Sequence, residues 1–290
     1  MNPDALAPGL ALPDYRVSAR MPADPVENKI HEDALAREMG FRGGLVPGVT
    51  VYAWMTHPVV EALGQTWLER GTFAVRFARP VYFGETVTVS TSVAERSGGA
   101  VTLALRVHSA DGETCATSTM ALPVDPAPAP PDVGRYPAAP LPAERPPVSR
   151  AHLAGRSILG TPELVLDEAA VRAFLDRVSE SLDLYREPRG PAHPGLYLDL
   201  ANRALSRNVV VSPWIHVESQ GRHLGPARRG ERLEMRGRVK SLFERKGHEF
   251  VELDLLLVAE GTRPVAEIRH VAIYQLRGAA PGRAVEPSAR

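Results

Sequence analysis

Residues 28–63 read NKIHEDALAREMGFRGGLVPGVTVYAWMTHPVVEAL, and this stretch decides the fold. It places a histidine, His31, ahead of a charged helical segment, and a Pro-Gly step, Pro47-Gly48, ahead of a second segment that is almost wholly apolar. An imidazole can move protons near neutral pH, and the free N–H groups of a helix start can bind a carbonyl oxygen. The pairing suits acid/base chemistry on a thioester. The apolar run Thr50–Leu63 predicts a helix, broken or bent near Pro58, that must be covered on most of its sides.

The residues that follow supply the cover. Thr72–Ala78, Thr86–Glu95, Ala100–Ser109 and Thr114–Pro123 read as strands, separated by turns such as Ser97-Gly98-Gly99 and Asp111-Gly112. Strands joined by short turns predict an antiparallel sheet curled around the helix. The order then recurs. Gly195–Ser206 is a second apolar helix, followed by strands at Trp214–Gly221, Arg232–Glu244, His248–Ala259 and Pro264–Leu276. Val46-Pro47-Gly48-Val49 lies over His193-Pro194-Gly195-Leu196, and the segment from Arg76 to Glu85 over that from Arg222 to Glu231, at offsets of 147 and 146 residues. A duplicated helix-plus-sheet unit explains both. Between the copies, Pro123–Pro147 carries ten prolines in 25 residues and predicts an extended polyproline linker. The expected organisation is 1–124 for the first unit, 125–148 for the linker, 149–276 for the second unit and 277–290 for a disordered tail.

Composition narrows the functional classes. Lys+Arg and Asp+Glu both number 34, so no net field favours nucleic acid or an anionic membrane. A single cysteine, Cys115, excludes an internal disulfide and reads as a buried small hydrophobe. The first residues lack the charged start and unbroken apolar core of a signal peptide, and no apolar run approaches the ~20 residues of a membrane span. A cytoplasmic protein is expected. No metal-ligand spacing, phosphate loop or nucleophile elbow occurs, and no cofactor is expected.

The chain resembles the MaoC-like hydratase/dehydratase family in its fused double-hotdog form. The family pattern runs Asp-x-Asn-Pro-apolar-His-x-Asp-x-x-Ala-x-x-x-Gly-Phe, then a glycine at the central helix. Asn28, Ile30, His31, Asp33, Ala36, Gly40, Phe41 and Gly48 match it in order. The resemblance implies an α+β double hotdog, two antiparallel sheets each wrapping a central helix and joined into one continuous sheet. It also implies a hydro-lyase acting on acyl-CoA or acyl carrier protein thioesters, and a possible homodimer of double hotdogs. His31 and Asn28 become the expected catalytic pair, while Val46, Pro47, Gly48 and Tyr52 become substrate-binding residues. The family's catalytic aspartate falls on Val26, leaving Glu27, one position on, or Asp24, two positions back, as replacement carboxylates. Lys29 and Pro47 also depart from the pattern.

The second half lacks a His-x-Asp motif, and Tyr185 falls by order where His31 stands in the first. Asp199, in an otherwise apolar helix, is either paired with Arg203 or Arg207 or faces a pocket together with Tyr185. Arg222, His223, Arg228 and Arg229 are either a solvated turn or a contact for coenzyme A phosphates. The rival reading is a hotdog thioesterase with Asp199 or Glu27 as base. A third is a divergent acyl-binding or ring-forming protein.

Overall fold

The computed structural model describes residues 6–21, 27–123 and 128–278. Its strands are β1 (Tyr15–Ser18), β2 (Thr72–Phe77), β3 (Thr86–Ser97), β4 (Ala100–His108), β5 (Thr114–Leu122), β6 (Glu163–Val165), β7 (Ile215–His223), β8 (Arg232–Arg245), β9 (His248–Ala259) and β10 (Arg263–Gln275). All lie in one antiparallel sheet of order β1-β3-β4-β5-β2-β7-β10-β9-β8-β6. Read from its own edge, each half repeats the same order, so the duplication seen in the sequence is a duplication of topology. The halves meet where β2 pairs with β7, from Thr72 opposite Arg222 to Arg76 opposite Glu218. That pairing removes the two long free edges that separate sheets would expose.

The helices are α1 (Asp33–Glu38), α2 (Gly48–Leu63), α3 (Gln65–Arg70), α4 (Arg150–Ala154), α5 (Glu168–Val178) and α6 (Gly195–Ser206). Fourteen of the sixteen residues of α2 are buried, which is why that segment carries almost no polar face. It packs on α6, and its Trp54 indole N–H donates to the Val178 carbonyl at 2.9 Å, tying the first half to the end of α5. α2 runs through Pro58 without the break that was one of the two expected outcomes there. Proline deletes a single backbone donor, and burial of the residues on both sides of it outweighs that loss.

The strands expected in both halves are present within two residues of their predicted ends. The short edge strands β1 and β6 and the helix α5 were not among the expectations. Residues 124–127 lie outside the described residues, and from Pro128 the proline-rich segment is a strap fastened to the second half rather than a free linker. Ala139 exchanges hydrogen bonds with Thr161, Val210 N–H donates to the Pro146 carbonyl at 2.8 Å, and the Tyr136 hydroxyl donates to Asp254 at 2.9 Å. Prolines lack N–H donors but keep their carbonyls, and the strap uses them as acceptors. Arg222 donates to the Pro128 and Ala129 carbonyls and pairs with Glu267, so its charge is spent inside the chain.

The seam gives the first expected result. A Cβ on Gly221 of β7 would stand 2.2 Å from the Glu267 carbonyl and 2.9 Å from the Phe73 ring. Gly221→Ala is therefore expected to destabilise the fold by roughly 1–3 kcal/mol, an overpacking cost, measured by urea unfolding. An unchanged midpoint would contradict the tightness of this seam.

Candidate active site

The segment ahead of α2 folds around three buried residues, Ile30, Ala36 and Leu45, with Met39, Phe41 and Tyr82 packed against them. Asn28 caps the 3₁₀ turn Lys29–His31. Asp33 accepts from the Gly44 N–H at 2.7 Å, which folds the following loop back over the turn. Gly44 itself is required there, because a Cβ would stand 2.3 Å from the His31 carbonyl oxygen. Leu45 N–H donates to the Ile30 carbonyl, and His31 Nδ1–H donates to the Leu45 carbonyl at 2.7 Å. The matched pattern is thus a clip that fixes one imidazole and its tautomer. With the proton on Nδ1, Nε2 keeps its lone pair, 3.5 Å from Asn28 Nδ2. Burial pushes the His31 pKa down to about 4 against the Leu45 carbonyl, so the ring is neutral at pH 7.

Asn28 also reaches the second half. Its Nδ2 donates to the Trp214 carbonyl at 2.8 Å, and its Oδ1 accepts from the Trp214 N–H at 3.3 Å. This two-bond clamp brings the start of β7 against the His31 turn. Between them lies a cavity of about 320 Å³, lined by Asn28, His31 and Gly48 from the first half and by Asn202, Trp214 and His216 from the second. Its walls are otherwise mostly apolar, with Phe77, Val81, Ile215 and Ile273 among them. At the start of α2, Thr50 and Val51 N–H both turn to the Pro47 carbonyl, while helix geometry leaves the N–H groups of Gly48 and Val49 without an intrahelical acceptor. The site combines a neutral imidazole with an unprotonated Nε2 beside the Asn28 amide, an open helix start and an apolar recess.

The expected residues divide between this cavity and the rest of the fold. His31, Asn28, Val46, Pro47 and Gly48 line it together, and so does buried Cys115. Tyr52 does not. It is fully buried with its ring 5.2 Å from Phe73, because it lies about 100° around the helix from Val51, which does face the cavity. Glu27 is half exposed, pairs with Arg145 and is not among the residues that line the cavity, although its neighbour Asn28 is. Val26 and Asp24 lie outside the described residues. Asp199 pairs with Arg203 at 2.8 Å and Arg177 at 3.2 Å, not with Arg207. Tyr185 is fully buried against His193, and Arg228 and Arg229 donate to carbonyls and to Glu168 rather than forming a free basic patch. No carboxylate lines the cavity among the described residues.

The second half builds the same corner and closes it. Gly195 N–H, at the start of α6, donates to Nδ1 of its own neighbour His193 at 3.0 Å, and a Cβ on Gly195 would stand 2.6 Å from the Phe174 ring. The N-terminus that is open in α2 is plugged in α6. His193 Nε2 instead faces Glu180 at 3.4 Å, and Glu180 also accepts from His57 Nδ1 at 2.8 Å and from the Ser181 and Leu182 N–H groups. Burial alone would raise the Glu180 pKa, but hydrogen bonds from His193, His57 and Leu182 hold it well below the usual carboxylate range. This buried pairing ties α2 to the loop before α6. A larger depression, about 380 Å³, lies on the polar sheet face around Arg76, Arg106, Thr117 and Arg269, where Arg269 is engaged by Glu218 and Glu252.

The sequence reading missed His216 and Asn202, since neither belongs to the motif and both arrive from the second half. A histidine and an asparagine in apolar surroundings, which need partners when buried, were the available signal.

No family model matches the chain, and no curated protein matches it. Solved structures do. A conserved hypothetical protein of Mycobacterium tuberculosis with a double hotdog fold shares 18% identity, covers 93% of this chain and 97% of its own, and superposes with a TM-score of 0.64. A protein of Chloroflexus aurantiacus described as a MaoC domain dehydratase gives 15% identity, 95% and 97% coverage and a TM-score of 0.62. One of Lactobacillus plantarum described as an oleoyl thioesterase gives 11%, 93% and 98%, and 0.55. The chain is a double hotdog protein, and its structural neighbours include MaoC-like dehydratases as well as thioesterases. Among the described residues no helix is long and apolar enough to cross a membrane, and no group of His, Cys, Asp and Glu is arranged to hold a metal ion.

Proposed function

We infer that the protein catalyses the reversible hydration of a 2-enoyl thioester, in the manner of the MaoC-like hydratases that residues 28–48 resemble. The observation that carries the reading is the one cavity shared by the unprotonated Nε2 of His31, which the Asn28 amide meets at 3.5 Å, and the N–H groups at the start of α2. His31 Nε2 takes a proton from water as the water oxygen bonds to Cβ. The π electrons pass to the thioester oxygen, which the Gly48 N–H stabilises. His31 then returns the proton to Cα. The apolar walls suit the acyl chain, and the carrier is coenzyme A or an acyl carrier protein.

The thioesterase alternative needs a carboxylate base. Asp199 and Glu27, the two candidates, are ion-paired and neither lines the cavity, which favours hydration. Purified protein is expected to reduce the enoyl absorbance of a crotonyl thioester without releasing free thiol. Thiol release at a comparable rate would reject the hydratase reading. Glu27→Gln is expected to change turnover less than twofold, and loss of activity would place Glu27 in the site.

The pH profile offers a further check. The base works only while neutral, so activity falls as pH falls through the His31 pKa of about 4. An exposed imidazole would lose it near 6.5. The acid limb of kcat/KM is expected well below pH 6, with circular dichroism at each pH confirming that the fold persists. A limb near 6.5 in folded protein would contradict the assignment of His31 as a buried neutral base.

A further inference from the structure

His216 lines the cavity, yet the reaction just described leaves it unused. It owes its position to an irregularity in β7. On β10, Val271 pairs with Glu218 and its neighbour Ala272 with His216, so Val217 is an extra, unpaired residue. In a regular strand His216 and Ser219, three apart, would face opposite sides of the sheet. The bulge turns both inward, and both are buried. Ser219 Oγ then bridges His216 Nε2 at 2.8 Å and Nδ1 of its cross-strand neighbour His270 at 2.9 Å. The other nitrogen of His216, Nδ1, is buried and makes no hydrogen bond of ordinary geometry among the described residues. It lies 3.1 Å from the point where a Cβ on Gly48 would stand, with the Phe77 ring against both. An open backbone donor and an unpartnered ring nitrogen therefore adjoin at one glycine.

We propose that His216 is a second oxyanion donor, its Nδ1–H and the Gly48 N–H together holding the thioester carbonyl oxygen. The proposal rests on the thioester reading above. The serine bridge admits the tautomer this role needs: with His270 Nδ1–H donating to Ser219 Oγ and Ser219 Oγ–H donating to His216 Nε2, the His216 proton sits on Nδ1. Burial, with His270 alongside and the Glu218 backbone opposing, holds His216 well below the ordinary histidine pKa, so it acts as a neutral donor. No proton leaves His216 during turnover. When water adds to Cβ and its proton passes to His31, the electron pair reaching the carbonyl oxygen meets two N–H groups. That pair returns as Cα takes the proton back from His31. Gly48 has no side chain to stand between the donors, so the glycine serves the site as well as the helix start.

The test uses butyryl-CoA carrying carbon-13 at the carbonyl, a saturated thioester that binds without reacting. Its carbonyl stretch is followed by infrared difference spectroscopy on the full-length protein. In the native protein the bound stretch is expected to move to lower frequency than in solution. In His216→Phe most of that shift disappears, and kcat for crotonyl-CoA falls about 10²- to 10³-fold with little change in KM, as for loss of one oxyanion donor. Ser219→Ala keeps the ring but frees its tautomer, so its shift is smaller than the native one. It carries the test alone if His216→Phe does not fold. A full shift retained in either folded variant overturns the role of His216 while leaving the thioester reading intact. Absence of any bound signal in the native protein overturns both.

Discussion

His31→Ala lowers kcat/KM for hydration of a short enoyl thioester by roughly 10²- to 10⁴-fold, the range expected for loss of a positioned acid/base group. The imidazole is held by a hydrogen bond to the Leu45 carbonyl, 2.7 Å long, and a longer one from the Asn28 amide, 3.5 Å, within the clip of Ile30, Ala36 and Leu45. Removing it leaves that carbonyl open to the cavity, at a cost to stability of only ~1 kcal/mol. The kinetic loss is therefore much larger than the stability loss, and thermal melting of the variant alongside initial rates separates the two. Turnover within threefold of native would remove His31 from the chemistry. The Asn28 clamp shares this logic but adds a structural part, because Asn28 also holds Trp214 through two hydrogen bonds.

Glu180→Ala produces the largest loss of stability, roughly 3–5 kcal/mol, as when one partner is removed from a buried charged network. The carboxylate is almost wholly buried and serves four donors: His57 on α2, His193 before α6, and the N–H groups of Ser181 and Leu182. Its removal leaves two buried imidazoles and two N–H groups unsatisfied at the contact between the halves. The pH dependence has a definite sign. A carboxylate whose folded pKa is depressed stabilises the fold above its unfolded value of 4.5, and that contribution is lost as pH falls further. The buried neutral histidines add a separate loss at higher pH. His31 at about 4, and His223 and His270 at about 3, resist protonation when folded, so acid favours the unfolded chain from about pH 6.5 downward. Native protein thus loses stability from about pH 6.5 and more steeply below pH 4.5, whereas a Glu180→Gln variant keeps the histidine slope down to about pH 3 without the Glu180 share of the steepening. Urea midpoints measured from pH 7 to pH 3 check this. Identical profiles for the two proteins would contradict the role of Glu180.

The fold was largely legible because its pattern is repeated. Alternation in Thr86–Ser97 and Ala100–His108 marks strands with one buried face, the apolar run of α2 demands a wrapped sheet, and the offset copies announce two such units. β1 and β6, four and three residues long, are too short for alternation to register, and they form through pairing with β3 and β8. α5 carried its own signals, an Asp167 cap on the Ala170 N–H and buried Val171, Phe174, Leu175 and Val178 at helical spacing, in a segment given no element beforehand. The strap escaped notice because a proline run reveals what it lacks as a donor, not where its carbonyls attach.

The site was half legible for a related reason. Asn28, His31 and Gly48 lie within 21 residues, and their spacing carries a pattern. Asn202 and His216 come from a different copy of the unit, and the bulge at Val217 that turns His216 inward has no sequence mark of its own. Glu180 was not singled out, although His57 and His193 in apolar runs each required a buried partner.

The central claim is that the cavity between the two halves adds water across an enoyl thioester. Incubation of purified protein with crotonyl-CoA in heavy-oxygen water, followed by mass spectrometry, tests it most directly. The account predicts an intact thioester that has gained one labelled water, with the heavy oxygen on Cβ and the product lost in His31→Ala. Label appearing instead in free crotonate, with coenzyme A released, would contradict it.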